Sequence, residues 1–264
     1  MLEPAPTIDV NVTLGQWPTR RVPCDELGKL IEKLHAHNVT EAWVSDYDAL
    51  FDRDLTDVNN RLAAICNNSS SVKLVPFGSV NPSAANWQAE LDRCSSVRKM
   101  HGIRLYPNYH NYKLDHPDFV ALLRTAAERN LIVQLAVVME DARMMHPLMR
   151  VQPVDTAPLE KHVSQIPNLK LILLNALTTA SRTDQLYRLL NVGNVYVEIA
   201  VLETMAALES LLKDIPAGRI LFGSHAPSFY HEAAHLKLIE SNLPAATLTR
   251  IRSDNARQLL AAQN

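Results

Sequence analysis

Eight short runs rich in β-branched residues recur along this chain about every 30 residues, the length of a strand, a helix and their connections. No other feature restricts the fold as much. The runs are Ile8 to Val12, Glu41 to Ser45, Lys73 to Val80, Gly102 to Tyr106, Leu131 to Val138, Leu169 to Leu174, Val195 to Ile199 and Ile220 to Phe222. Between them lie segments such as "DELGKLIEKLHAH", "VNNRLAAICNN", "DFVALLRTAAERN" and "ETMAALESLLKD", which carry apolar residues at the three- and four-residue spacing of a helix face. Eight such units in 264 residues predict an α/β fold, a closed (β/α)8 TIM barrel occupying residues 1–264 as one domain. An open doubly wound sheet is the competitor. It normally carries a glycine-rich turn after its first strand, and this chain has none there and only seven glycines in all.

Composition narrows the partners. With 47% hydrophobic and 20% charged residues the chain can bury a large core, and a net charge of -2 with both signs scattered leaves no basic stripe for nucleic acid or anionic membrane. A small-molecule ligand is expected. "MLEPAPT" lacks the charged start and apolar run of a leader, and no segment reaches the length of a membrane span, so a cytoplasmic location is expected. Cys24, Cys66 and Cys94 are widely spaced, each in a segment read as helix, and predict reduced, packed thiols.

Barrel enzymes place their sites at the C-terminal strand ends. The polar residues there are Asp9 and Asn11, Asp46, Asn81, Arg104 and Tyr106, Gln134, Asn175, Glu198, Ser224 and His225. Strict alternation along "TIDVNVTLGQWP" puts Asp9, Asn11 and Thr13 on one face. Asp and Asn also cap helices and close turns, and Asp46 and Asn81 are read that way.

The pieces "IDVNVTLG", "MHGIRLYPNYHNY", "HPDFVALLRTAAERNLIVQLAV", "IPNLKLILLNA", "GNVYVEIA", "RILFGSHAP" and "IRSDNARQLL", in this order, resemble the amidohydrolase-related (amidohydrolase 2 type) TIM-barrel family of metal-dependent hydrolases. The resemblance implies a first strand ending in His-x-His, histidines on strands five and six, and an aspartate on strand eight. Those positions hold Asn11 and Thr13, Ala136, Asn175 and His225 here, so every usual ligand is substituted. Amides and hydroxyls are poor zinc ligands and alanine is none. No cofactor is therefore expected, with a zinc or manganese ion relocated onto Asp9, Glu198 and His225 as the alternative.

Two loops add candidates. "VVMEDARMMHPLMRVQPVDTAPLEK" is long for a barrel connection and reads as a lid, with Arg143 and His146 suited to an anionic group. "RLYPNYHNYKLDHP" brings Tyr106 and His110 beside Arg104. In "FGSHAPSFYHEAAHLKL" the pair His231 and His235 has helical metal spacing but reads as a surface face.

The expected function is a hydrolase or decarboxylase acting on a small carboxylate-bearing compound. Arg104 and Arg143 would anchor the carboxylate, with Tyr106, His110, His146, Asn11 and Asn175 lining the site. His225 would move protons, and Asp9 or Glu198 would orient it or act as base. The alternatives are a non-catalytic binding module and a regulatory partner of an active paralogue. A homodimer formed through the helical shell is the expected assembly.

Overall fold

All eight predicted strands form, and each pairs in parallel with the next in chain order. They are β1 (Thr7–Leu14), β2 (Val39–Asp46), β3 (Lys73–Ser79), β4 (Gly102–Leu105), β5 (Ile132–Ala136), β6 (Lys170–Leu174), β7 (Asn194–Glu198) and β8 (Ile220–Leu221). The cylinder closes where Val10 N donates to Phe222 O (3.0 Å) and Thr13 N to Ala226 O (2.9 Å). This computed structural model describes residues 6–69, 71–178 and 183–263; residues 1–5, part of the stretch read for a leader, lie outside them.

Helices alternate with the strands: α1 (Leu27–Ala36), α2 (Leu55–Asn67), α3 (Trp87–Asp92, continuing as a π turn over Arg93–Val97), α4 (Pro117–Glu128), α5 (Leu159–Gln165), α6 (Asp184–Asn191), α7 (Ala207–Leu211), α8 (His231–Glu240), α9 (Ala245–Thr249) and α10 (Asn255–Ala261). Their local logic is plain in α2 and α4. Asp54 caps α2 by accepting from Thr56 N at 3.0 Å, and Leu55, Val58, Leu62 and Cys66 form its buried stripe. Pro117 opens α4, where a missing N–H costs nothing, and Phe119, Leu122, Leu123 and Ala126 face inward. No described helix is long and apolar enough to cross a membrane. Cys66 and Cys94 are buried free thiols, whereas Cys24 lies in a turn before α1 with φ 61°, not in a helix.

The strand interior is a packed core of Ile8, Val10, Trp43, Val75, Phe77, Ile132, Ile172 and Leu221. One irregularity decides where the polar residues go. The pairing of β1 with β2 shifts register between Asp9 and Val12, a bulge that breaks the two-residue period. Val10 packs in the interior core and Val12 in the outer layer against the helices. Asp9 therefore faces the helical layer, its Oδ2 3.8 Å from His231 Nε2 on α8, while Asn11 and Thr13 face inward. The expected shared face for Asp9, Asn11 and Thr13 is corrected accordingly.

Arg104 is the second correction. It lies inside the barrel, fully buried, and not at the mouth. Its Nε donates to Gln134 Oε1 (2.7 Å), Nη1 to Val12 O (3.0 Å) and Thr13 Oγ1 (3.2 Å), and Nη2 to Trp43 O (3.1 Å). One guanidinium thus joins β1, β2, β4 and β5. Gln134 Nε2 extends the network to Val10 O at 2.9 Å.

Arg104→Ala would leave these acceptors unpaired in a dry interior, at about 1–3 kcal/mol each. A drop of roughly 10 °C or more in Tm is expected, since 1 kcal/mol shifts Tm by about 2–4 °C in domains of this size. Calorimetric melting checks it, and a Tm within about 2 °C of native would refute the structural role.

Candidate functional site

The C-terminal mouth of the barrel is divided. Over β1, β2 and β4 it is filled by an aromatic cluster in which Trp17 meets Tyr47, Phe51 and Tyr109 edge-on, at centroid distances of 5.3, 5.8 and 6.4 Å. Tyr106, Ala136 and Met139 pack into the same cluster. Over β5 to β8 the mouth stays open as a cavity of about 300 Å³. His225 and Asn175 contribute its polar floor, Val138, Val201 and Phe229 its apolar wall, and Arg150 stands on its rim.

The long connection from β5 to α5, residues 137–158, builds one side of this cavity. Val137 N donates to Leu174 O and Val154 N to Val137 O, both at 3.0 Å, so the loop leaves and returns against the strand ends. Its tip is fastened from β1's side by an ion pair between Arg20 and Glu140, and Arg20 also donates to Met144 O at 3.1 Å.

Beneath the cavity Glu198, Asn11 and Asn175 form a closed network. Asn11 Nδ2 donates to Asn175 Oδ1 (2.9 Å) and Glu198 Oε1 (3.2 Å), and Asn175 Nδ2 donates to Val138 O (2.7 Å). Backbone N–H groups of Asn175 and Ala200 also point at the Glu198 carboxylate. Gly223 lies flat against it, where a Cβ would come within 2.8 Å of the Glu198 side chain. Burial pushes the Glu198 carboxyl upward while these bonds pull it down.

His225 sits in the left-handed region at φ 57°. Its Nε2 is 2.9 Å from Met139 O, an atom that can only accept, so Nε2 carries the proton. Burial pushes the ring's pKa down to about 4, leaving it neutral with a bare Nδ1 that has no protein partner.

The other expected site residues lie elsewhere. Tyr106 is fully buried beside the Arg104 guanidinium. His110 Nε2 donates to Ala49 O at 2.8 Å and lines a separate groove next to Phe51 and Trp87. Arg143 reaches the cavity, but its Nε and Nη2 are tied to Asp141 and it is 82% exposed. His146 is exposed and its Nδ1 accepts from Leu148 N at 3.2 Å. Asp46 and Asn81 close turns, accepting from Asp48 N and Ser83 N at 2.9 Å each. His231 is buried against Asp9 and stacked on His37 at 4.8 Å, which corrects its assignment to a surface face.

Arg150, Val201 and Phe229 are the cavity residues that sequence reasoning missed. Arg150 had a legible signal. Arg143 follows Asp141 by two residues and is captured by it, whereas no acid lies within four positions of Arg150 and it makes no ion pair with a described residue.

Asp9 is held by Asn11 N (3.1 Å), Ser224 N (3.0 Å) and Ser224 Oγ (2.5 Å), a clip between β1 and the end of β8. Burial outweighs those bonds and pushes its carboxyl up to about 7. A carboxyl raised in the folded state stabilises fully below its unfolded pKa of about 4, and that stability is lost as pH climbs through about 7. His225, and His231 with its pKa lowered to about 3, act oppositely, adding stability as pH rises toward about 6.5. Comparison with Asp9→Asn isolates the carboxyl. From pH 5 to pH 8 the native protein should lose more than about 1 kcal/mol relative to the variant in urea unfolding. Parallel pH profiles would contradict the assignment.

Comparison with known proteins places this architecture. The chain superposes on 2,6-dihydroxybenzoate decarboxylase from Rhizobium with a TM-score of 0.74 at 14% identity, covering 98% of this chain and 99% of that one. Against 5-carboxyvanillate decarboxylase from Sphingomonas paucimobilis the TM-score is 0.75 at 12% identity, covering 97% and 99%. Against dihydroxybenzoic acid decarboxylase from Polaromonas sp., a structure with bound manganese and an inhibitor, it is 0.73 at 16%, covering 98% of each chain. At these identities the likeness shows the fold alone. No curated protein matches in sequence. The amidohydrolase family model Amidohydro_2 matches residues 31–261, and the chain belongs to that family.

Proposed function

We propose that this protein takes a small carboxylate-bearing compound into the cavity over β5 to β8, as a hydrolase or decarboxylase, and works without the divalent metal its family implies. The observation that carries the first part is Arg150, an unpaired guanidinium above an apolar wall and a polar floor. Guanidinium is the side chain best shaped for a carboxylate, and a cavity of about 300 Å³ suits a small molecule.

The donor chemistry supports the second part. Ala136 supplies no ligand atom and packs in the aromatic cluster. Thr13 Oγ1 accepts from Arg104, Asn11 and Asn175 are bonded to each other, and His225 turns its N–H to Met139 O. Among the described residues no three His, Cys, Asp or Glu side chains are placed to hold a metal ion, and the Asp9 oxygens are taken by Asn11 N and by Ser224 N and Oγ. A metal does not fit this set.

Of the two reactions, decarboxylation asks less of such a site. Hydrolysis needs an activated water, which a metal supplies by lowering its pKa to about 7. Decarboxylation needs the carboxylate oriented and its product released. A binding protein is the second reading, favoured by the caging of Asp9 and Glu198 in backbone hydrogen bonds, which takes both carboxyls out of acid–base service.

Titration calorimetry with benzoate and short aliphatic acids should show binding weakened about tenfold or more in Arg150→Ala, the loss of a hydrogen-bonded charge pair. Mass-spectrometric metal analysis should find no stoichiometric zinc or manganese. Release of CO₂ or hydrolysis product from a bound acid would establish the enzyme; binding without turnover would establish the second reading. Binding unaffected by Arg150→Ala, or one equivalent of metal, would overturn the corresponding half.

A further inference from the structure

The cavity floor and rim have opposite hydrogen-bonding character, and this fixes which way round a ligand enters. On the floor one Asn175 amide N–H donates to Val138 O and its Oδ1 accepts from Asn11, which leaves its second amide N–H over. His225 is different. Its Nε2–H is fixed on Met139 O, and its Nδ1 lone pair is buried, faces no described donor and belongs to a residue lining the cavity. The floor therefore offers an acceptor and no free cation. At the rim Glu140 is paired with Arg20 and Arg143 with Asp141, and although Glu203 lines the same cavity, Arg150 makes no ion pair with a described residue and is the cation left for an anion.

We infer that His225 is the specificity-determining residue of this cavity. Its Nδ1 accepts from a hydroxyl or amine at the inner end of the ligand, while the carboxylate stays outward at Arg150. The ligand class is a carboxylate with a hydrogen-bond donor at its far end and an apolar body between, resting on Val138, Val201 and Phe229. A carboxylate could not sit at His225 Nδ1, since its lone pairs would meet the Nδ1 lone pair. A metal on that floor would draw the anionic end inward, so this chain seats its ligand the opposite way round. The inference rests on the reading that the cavity takes a carboxylate.

A matched pair of probes tests it: para-hydroxymethylbenzoate and para-ethylbenzoate, equal in shape, only the first able to donate. Calorimetry on the full chain should give about tenfold tighter binding of the hydroxymethyl acid, the value of one hydrogen bond to an otherwise orphaned acceptor. In His225→Gly the preference should collapse to within about twofold; glycine accepts the positive φ, so the backbone is kept while the acceptor is removed with nothing in its place. In the native protein labelled with ¹⁵N-histidine, the His225 Nδ1 resonance should move with the hydroxymethyl acid and not with the ethyl acid. Equal affinities for the two probes would overturn the inference and leave the carboxylate cavity standing. A preference that survives His225→Gly, or a silent Nδ1 resonance, would overturn it too. If neither probe binds, the carboxylate cavity itself falls, and this inference with it.

Discussion

The Arg104 guanidinium is the interaction on which the barrel interior depends. A buried cation persists only where its lost hydration is replaced, and here β1 and β2 carbonyls, Thr13 Oγ1 and the Gln134 amide replace it. No carboxylate faces it directly, so it is a charge held by dipoles. That arrangement requires the first two strands and the fourth and fifth to keep a fixed register about one side chain. It also sets the electrostatics of everything above it. A dication bound to Thr13 would lie within about 5 Å of this guanidinium, and at an effective dielectric of about 20 the repulsion is on the order of 6 kcal/mol. Arg104 and a metal at that position are alternatives, and each makes the other expensive.

Other polar and small residues at the mouth are engaged within the fold: Thr13 Oγ1 accepts from Arg104, and Ala136 packs in the aromatic cluster. Asn11 and Asn175 bond each other, and the Asn11 amide joins the Asn175 and Ala200 backbone N–H groups around the Glu198 carboxylate. Trp17, Tyr47 and Tyr109 fill the mouth on the β1 side, and the cavity lies on the β8 side, lined there by His225, whose Nδ1 has no partner among the described residues.

Much of this was legible in the sequence, and the failures have physical reasons. Periodicity located every strand, because a strand buried on both faces needs its apolar run whatever the site above it does. Membership of the amidohydrolase family was legible too, from the order and spacing of the strand-end segments. Asp9 was misplaced because a bulge leaves no mark in a period-two pattern. Arg104 was misread because a strand-end arginine looks the same whether it points up into the mouth or across the interior; only the partners of Thr13 and Gln134 tell them apart. His231 was taken for a surface residue because burial between α1 and α8 depends on helix packing that spacing along one helix does not specify.

The long loop shows how local pairing hides a site from the sequence. Arg143 and His146 attracted attention by their neighbours, yet those neighbours are what consume them: Asp141 holds Arg143, and the Leu148 amide holds His146. Arg150 sits among Met149, Val151 and Pro153 with no acid within four positions along the chain, makes no ion pair with a described residue, and lines the cavity. A cation without a local partner is the one whose charge remains for a ligand. The same reasoning holds for His225, whose useful atom is the nitrogen that Met139 does not take. In this barrel the candidate site is defined by the groups the fold leaves unsatisfied, and the Arg20–Glu140 pair keeps the loop that presents Arg150 fastened over them.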